Sequence, residues 1–585
     1  MAIQRPSGPI LLLASLLVGS PSVRGQDADL VLYHGKIVTA DGSFSIAEAI
    51  AVKADRILKV GSDAEILKLC GPRTRVVDLA GKTVLPGLMD SHVHPGEACL
   101  TEFDHAIPEM ENIADVLDYV RRRAAVVKEG DWIELRQVFI TRLAEQRYPT
   151  REELDRAAPK HPVVFATGPD ASLNTLALKL SAMDRDFKVT DGGPGYIEKD
   201  PKTGEPTGIL RSCTRYVKSR PSGRQPDRED RKRRMRELFD DYLATGLTSV
   251  GDRDASEEEV QLYRELDRAG KLRLRVSLSH HVETIGPLEA IEQNIRKVAA
   301  DPLVKSDGRL KLVGIKTYLD GGMLTGSAYM RAPWGVSKIY SITDPAYRGV
   351  LFIPRERLLP IVKATVDAGL QFTAHSVGDG AVHALLDVYE DLDRVRPIRS
   401  TRPCITHSNF MSEEAVSRLA KLGVSVDVQP AWLYLDTRTL VGHFGYDRLR
   451  FFQPLRSIFQ AGGLAAGGSD HMQKIGSLRS VNPYNPFLAM WVAVTRKAKG
   501  YEGALHPEEA LTREQAIRLY TGNNAYILFR EKQTGSLEAG KLADLIVLDT
   551  DILNCPVDDI RNTQVLQTYV EGQLVFDRRQ AASTR

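Results

Sequence analysis

The sequence predicts an α/β fold: a (β/α)8 TIM barrel, a composite β-sandwich-like domain assembled from both ends of the chain, and a cap inserted over the barrel mouth. Three patterns carry that expectation. Eight apolar strand-type runs, at 84–89, 247–250, 272–278, 312–315, 370–374, 403–406, 424–428 and 464–467, alternate with helical patterns, as parallel βα units do, and eight such units close a barrel. Short β-type segments separated by turn residues recur near both termini. The interval from Gly96 to about Thr245 is too long for a single βα connection.

Taken in order, the chain begins with Arg5, the apolar run 10–18 and the small-residue segment Ser22-Val23-Arg24-Gly25 before Gln26-Asp27. That is the layout of a secretory signal cleaved after Gly25. Residues 1–25 are therefore assigned to a signal peptide and the mature protein to a secreted or periplasmic location. The apolar run falls short of the roughly 20 residues that span a bilayer, which predicts no stable membrane anchor.

Residues 26–86 hold β-type segments at 29–33, 49–52, 56–60 and 75–79, divided by turns such as Asp41-Gly42 and Ala80-Gly81-Lys82. The pattern returns at 542–549 and 568–576, so 531–585 complete the composite domain, whose antiparallel edge offers a surface for pairing into a homo-oligomer. Residues 87–530 form the barrel, with the cap at about 97–245, where 113–128 reads as a helix and 162–167 as a strand. A second excursion, 322–353, follows strand four and carries the turn-rich Gly321-Gly322 and Pro333-Trp334-Gly335.

With 585 residues and 43% hydrophobic content, the chain can bury a large core. A net charge of +2 gives no electrostatic reason to expect nucleic acid or an acidic partner, and Arg231-Lys232-Arg233-Arg234, set among acids, reads as a solvated helix face. Five scattered cysteines (Cys70, Cys99, Cys213, Cys404, Cys555) show neither a disulfide framework nor zinc-knuckle spacing. They read as mostly buried thiols, although export would permit a bridge.

The chemistry concentrates at strand ends. In Asp90-Ser91-His92-Val93-His94, which follows the first apolar run, strand alternation aims His92 and His94 at one face. Lys316, His375, His407 and Asp470 each end another run, so the candidates fall at strands one, four, five, six and eight, whose C-terminal ends share one mouth in a barrel. Imidazole and carboxylate suit zinc and related divalent metals, and a metal with an open position lowers the pKa of water to about 7. Lys316 either pairs with a carboxylate such as Asp320 or, desolvated and neutral, takes up CO2 to give a carbamate that bridges two metals. His280 and His281 after strand three, and Asp252 and Asp254 after strand two, either reach the mouth or serve structure.

The chain resembles the amidohydrolase superfamily, and within it the amidohydrolase family 3 branch that includes N-substituted formamide deformylase-like proteins. The residues that carry the resemblance are Leu85-Pro86-Gly87-Leu88-Met89-Asp90-Ser91-His92-Val93-His94, Gly204-Glu205-Pro206-Thr207-Gly208, Gly246-Leu247-Thr248-Ser249-Val250, Lys316 with Asp320-Gly321, His375-Ser376-Val377-Gly378-Asp379, Thr406-His407, Gly468-Ser469-Asp470, Asn485-Pro486-Phe487 and Gly535-Ser536-Leu537-Glu538-Ala539-Gly540-Lys541-Leu542-Ala543-Asp544.

The resemblance implies a metal-dependent hydrolase acting on a C–N bond of a small amide, formamide, cyclic amide or N-acyl substrate through metal-activated hydroxide. It implies that His92, His94 and Asp470 hold one zinc-like ion, that His375 and His407 hold a second, and that carboxylated Lys316 bridges them; a one-ion arrangement without the bridge also occurs in the superfamily. Asp470 would carry the proton from water to the leaving nitrogen. The same scaffold supports a deaminase, an esterase or a catalytically inactive binding protein, but no ligand of the set is missing here. One departure stands out: where relatives show a Gly-His-Ser segment followed by an Asn-containing run, this chain has Gly168-Pro169-Asp170-Ala171-Ser172-Leu173-Asn174. Asn174 is kept, and Asp170 reads as a turn residue or a replacement substrate contact.

Overall fold

Met1 and residues 27–136, 138–220 and 222–583 are described by the computed structural model of the protein, so the signal-peptide reading falls, Met1 apart, outside the described residues. Eight parallel strands form the central sheet: Leu88–Val93, Leu247–Ala255, Arg275–His281, Leu310–Tyr318, Gln371–Ser376, Cys404–His407, Ser425–Val428 and Leu464–Gly467. Each pairs in parallel with the next. A bridge between Val93 and His471 joins the last strand to the first. Strands covered on both faces read as near-continuous apolar runs, and Val276, Leu278, Leu312, Ile315, Phe372 and Ala374 are all buried.

The sequence reading needs one correction at the start of the barrel. The apolar run 84–89 is not one strand: Thr83–Pro86 joins a terminal sheet and Leu88–Val93 opens the barrel. Gly87 is the switch. Its N–H donates to the Asp544 carbonyl at 2.9 Å, and a Cβ there would lie 2.2 Å from Thr248 Oγ1, so only glycine lets the chain pass this close to strand two.

Both ends of the chain meet in two sheets. A six-stranded sheet runs in the order Gln573–Asp577, Val565–Val570, Leu545–Leu548, Thr83–Pro86, Lys36–Val38, Ile46–Ala47, and a four-stranded sheet in the order Arg56–Gly61, Ala49–Lys53, Ala28–Tyr33, Cys70–Asp78. Leu30, Ile50, Val52, Val84, Leu545 and Tyr569 share one apolar cluster between them, the layer a sandwich needs. The inserted segment builds a separate five-stranded sheet, Tyr196–Lys199, Pro206–Arg211, Asp170–Leu173, Val163–Thr167, Ile133–Arg136, preceded by helix Ile113–Ala124. Asn112 caps that helix by accepting from the Asp115 N–H at 2.9 Å.

The helix Arg228–Ala244 packs on the second barrel strand. Its basic run is an ion-paired surface, with Lys232 reaching Glu265 at 2.8 Å and Arg233 and Arg234 sharing Glu237. All five cysteines are free thiols, three of them buried. Among the described residues no helix is long and apolar enough to cross a membrane.

Candidate metal centre

His92 lies within the first strand and His94 just past its end, and the two rings converge on Asp470, three residues beyond strand eight. His92 Nε2 and His94 Nε2 are 3.1 Å apart, and Asp470 Oδ1 lies 3.1 Å from His94 Nε2 and 3.3 Å from His92 Nε2. Strand eight reaches this position by passing over strand one at Gly468, where a Cβ would sit 2.9 Å from His92 Cβ. The Asp470 N–H then donates to the His92 carbonyl at 2.8 Å.

His375 and His407 adjoin the three: their ring centres are 4.4 Å apart, and His407 lies 5.0 Å from His92. Lys316 completes the set. Its Nζ sits 4.8 Å over the Tyr318 ring, whose centre is 5.5 Å from that of His375. The Lys316 side chain is 1% exposed and has no hydrogen bond or ion pair among the described residues. The pairing with Asp320 allowed by the sequence does not form, because that carboxylate instead accepts the Tyr329, Val377 and Gly378 N–H groups, each at 2.9 Å.

The residues behind the rings aim them. Asp427 Oδ1 lies 3.2 Å from His92 Nδ1, and Gln429 Oε1 lies 2.8 Å from His407 Nδ1, so both rings are held by one nitrogen while the other faces the cluster. Trp432 stacks on His407 at 4.9 Å. Sequence reasoning missed all three. The available signal was Asp427 interrupting the apolar run of strand seven, with Gln429 two residues on and hence on the same face. His407 and Asp470 also adopt left-handed backbone, with φ of 76° and 55°, conformations that cost energy and persist where surroundings impose them.

Electrostatics leave the cluster rich in lone pairs. Burial, then the Lys316 charge, lowers His92 well below the usual imidazole range and His375 to about 3. Burial, then His375, does the same to His407. Burial also lowers Lys316 and raises Asp470. His94 goes the other way: burial pushes it down, but the hydrogen bond and charge of Asp470 outweigh this and hold it up at about 9. Neutral His92, His375 and His407 are the donor forms a divalent ion requires, and His94 would give up its proton on binding one, as metal binding releases protons from its ligands. Three ligand atoms from His92, His94 and Asp470 lie within 4.8 Å of one another, so the residues fit a metal.

His94, Lys316, His375, His407 and Asp470 line a cavity of about 850 Å³, with His92 buried behind them. The cap contributes Thr167, Gly168 and Ser212 to its wall, and the excursion after strand four contributes Met323, Leu324 and Phe352. Asp254 and His281 stand on that wall, with Asp254 Oδ1 2.8 Å from His281 Nδ1 and its Oδ2 accepting the Tyr318 hydroxyl at 2.7 Å. Asp252 lines it too and accepts the Tyr263 hydroxyl at 2.8 Å. His280 instead places Nδ1 2.7 Å from the His281 carbonyl.

Asp170 is a buried strand residue rather than a turn residue: it accepts the Ser212 N–H at 2.8 Å and lies 3.3 Å from Arg211. The Asn174 amide oxygen accepts the Val163 and Ala177 N–H groups at 2.9 and 3.0 Å, and its nitrogen donates to the His161 carbonyl at 2.9 Å.

Comparison with known proteins identifies the family and the fold. The chain is 29% identical over 565 residues to the N-substituted formamide deformylase of Arthrobacter pascens, covering 94% of this chain and 99% of that one. It is 25% identical over 546 residues to a putative amidohydrolase of Bacillus subtilis, covering 91% and 96%. A metal-dependent hydrolase from Pyrococcus furiosus, itself uncharacterized, shares the fold with a TM-score of 0.63 at 21% identity, covering 90% of this chain and 100% of that one. The amidohydrolase family model matches residues 75–576, and the chain belongs to the amidohydrolase family.

Proposed function

We propose that this enzyme hydrolyses a C–N bond in a small amide, formamide, cyclic amide or N-acyl substrate. The observation that carries the reading is the convergence of His92, His94 and Asp470 on one point beside the 850 Å³ cavity that His94 and Asp470 line. These three would hold a divalent ion, zinc in our reading, and His375, His407 and a carboxylated Lys316 would hold a second. When bound, such an ion polarises a carbonyl and lowers the pKa of water toward about 7.

The chain's own groups do the rest. Asp470 takes the proton of the attacking water and returns it to the leaving nitrogen, a role that suits a carboxylate touching both histidines. Asp427 and Gln429 fix the rings of His92 and His407. Lys316, buried and among the described residues without a hydrogen bond or ion pair, has the environment in which a neutral amine reacts with CO2. The cap and the excursion after strand four surround the substrate and limit water. The similarity to a formamide deformylase supports the formamide end of the substrate range.

The test is a panel of N-substituted formamides, amides, aminated heterocycles and esters, assayed for amine, acid and ammonia release alongside elemental analysis. Amine and acid release that disappears with chelator and returns with zinc is expected. Ammonia from heterocycles alone, or ester cleavage alone, would replace the reading with a deaminase or an esterase. Metal-loaded enzyme inert on the whole panel would favour a binding protein. We also propose export; the intact mass of protein from the native host should lack the first 25 residues.

A further inference from the structure

A second cavity, of about 450 Å³, lies behind the loop that follows strand eight. Met472 faces the mouth cavity, whereas Gln473 and Lys474 face this one. The apolar part of its wall is drawn from Met110, Val138, Phe139, Leu478 and Leu488, and polar and charged side chains make up the rest. One buried ammonium faces it: Lys474 is 5% exposed, and its side chain has no hydrogen bond or ion pair among the described residues. A charge withdrawn from water without a hydrogen-bonding partner is costly, and only the longer-range attraction of Glu102 and Glu109 acts against that cost.

The other cations of this cavity are already committed or lie outside its depth. Arg142 is paired with Asp436 at 2.9 Å and Arg479 with Glu102 at 3.0 Å. Lys499 and Arg561 are exposed at the rim, as are Glu109 and Glu111. Lys474 itself is fixed in place: its backbone is left-handed, with φ of 62°, and its carbonyl lies 2.8 Å from His471 Nε2. We propose that this cavity binds a small monoanionic carboxylate with an apolar body, its carboxylate on Lys474 and its hydrocarbon against the walls. A phosphate fits less well, because one lysine among apolar walls would leave its second charge uncompensated.

Calorimetric titration with sodium octanoate, and separately with inorganic phosphate, tests this on the full chain. The variants are Lys474→Met, Leu478→Trp, which fills the cavity from its rim, and His92→Ala, which disables the metal centre and so separates this site from the proposed hydrolytic one. Octanoate should bind the wild type and His92→Ala alike, and at least about tenfold more weakly to Lys474→Met, the loss expected for one charge-assisted hydrogen bond. Leu478→Trp should weaken it too, and carries the test alone if Lys474→Met does not melt cooperatively. Octanoate binding that survives both cavity variants, or vanishes in His92→Ala, overturns the proposal. So does phosphate binding tighter than octanoate, or no octanoate binding to the wild type.

Discussion

The barrel mouth and the cap sheet both bury ionisable side chains, but they use them in opposite ways. In the cap, Arg211 donates to Asp170, to Glu198 at 2.8 Å, and to the carbonyls of Thr325 and Tyr340 in the excursion after strand four. Asn174 spends its amide on three backbone groups. Every partner is supplied by the chain itself, and the result is a cap fastened to the barrel. In the mouth, His92, His94 and Asp470 present ligand atoms to one another, and among the described residues the Lys316 amine has no hydrogen bond or ion pair, only the Tyr318 ring beneath it. Apart from the attraction between His94 and Asp470, the ligand atoms of the mouth are left for something brought in. The difference separates polar burial that builds from polar burial that binds.

Removing a ligand should break this contrast most severely. His92→Ala, His94→Ala or Asp470→Ala should cut turnover by ~10³-fold or more and release metal measured by elemental analysis, with little change in the thermal midpoint. Full metal content in all three would put the site elsewhere. Lys316→Ala comes next: activity should collapse and be partly restored by acetate, which can occupy the space of the proposed carbamate, while wild type should carry about two ions per chain as bridged sites do. One ion per fully active chain, together with an unaffected Lys316→Ala, would eliminate the bridge.

The cap should answer in stability instead. Arg211→Met strands the Asp170 carboxylate, so denaturant unfolding should show a loss of about 3–5 kcal/mol, the cost of breaking a buried pair from one side, with metal content unchanged. Asp427→Asn sharpens the other half of the comparison: it loosens the hold on His92 and should weaken metal affinity by roughly 10–100-fold, read by competition with a chelator. The smallest effect is expected at Asn174→Ala, which removes a helix cap at about 1–2 kcal/mol and should leave the metal in place. A large drop in metal content there would mean the cap and mouth are not separable.

Much of the barrel was legible because strands covered on both faces have few polar positions to obscure them, and the eight apolar runs overlap the eight strands. The exception, 84–89, shows the limit: Thr83–Pro86 and Leu88–Val93 are both buried throughout, and only the Asp544 carbonyl and Thr248 at Gly87 make one run into two strands of different sheets. The candidate ligands were visible as ligand-type residues ending such runs. Asp427 and Gln429 were not, since their importance lies in reaching His92 and His407 from another strand.

By itself the sequence determined the order of strands and the residue types at their ends, because burial on both faces and alternation along a strand are local properties written in consecutive positions. The tertiary structure alone decided which of those ends share a point in space, that Lys316 faces the site without Asp320, and that Asp170 and Asn174 are spent inside the cap. Those outcomes depend on distances between residues hundreds of positions apart, which barrel closure and the docking of the cap set and no local pattern encodes.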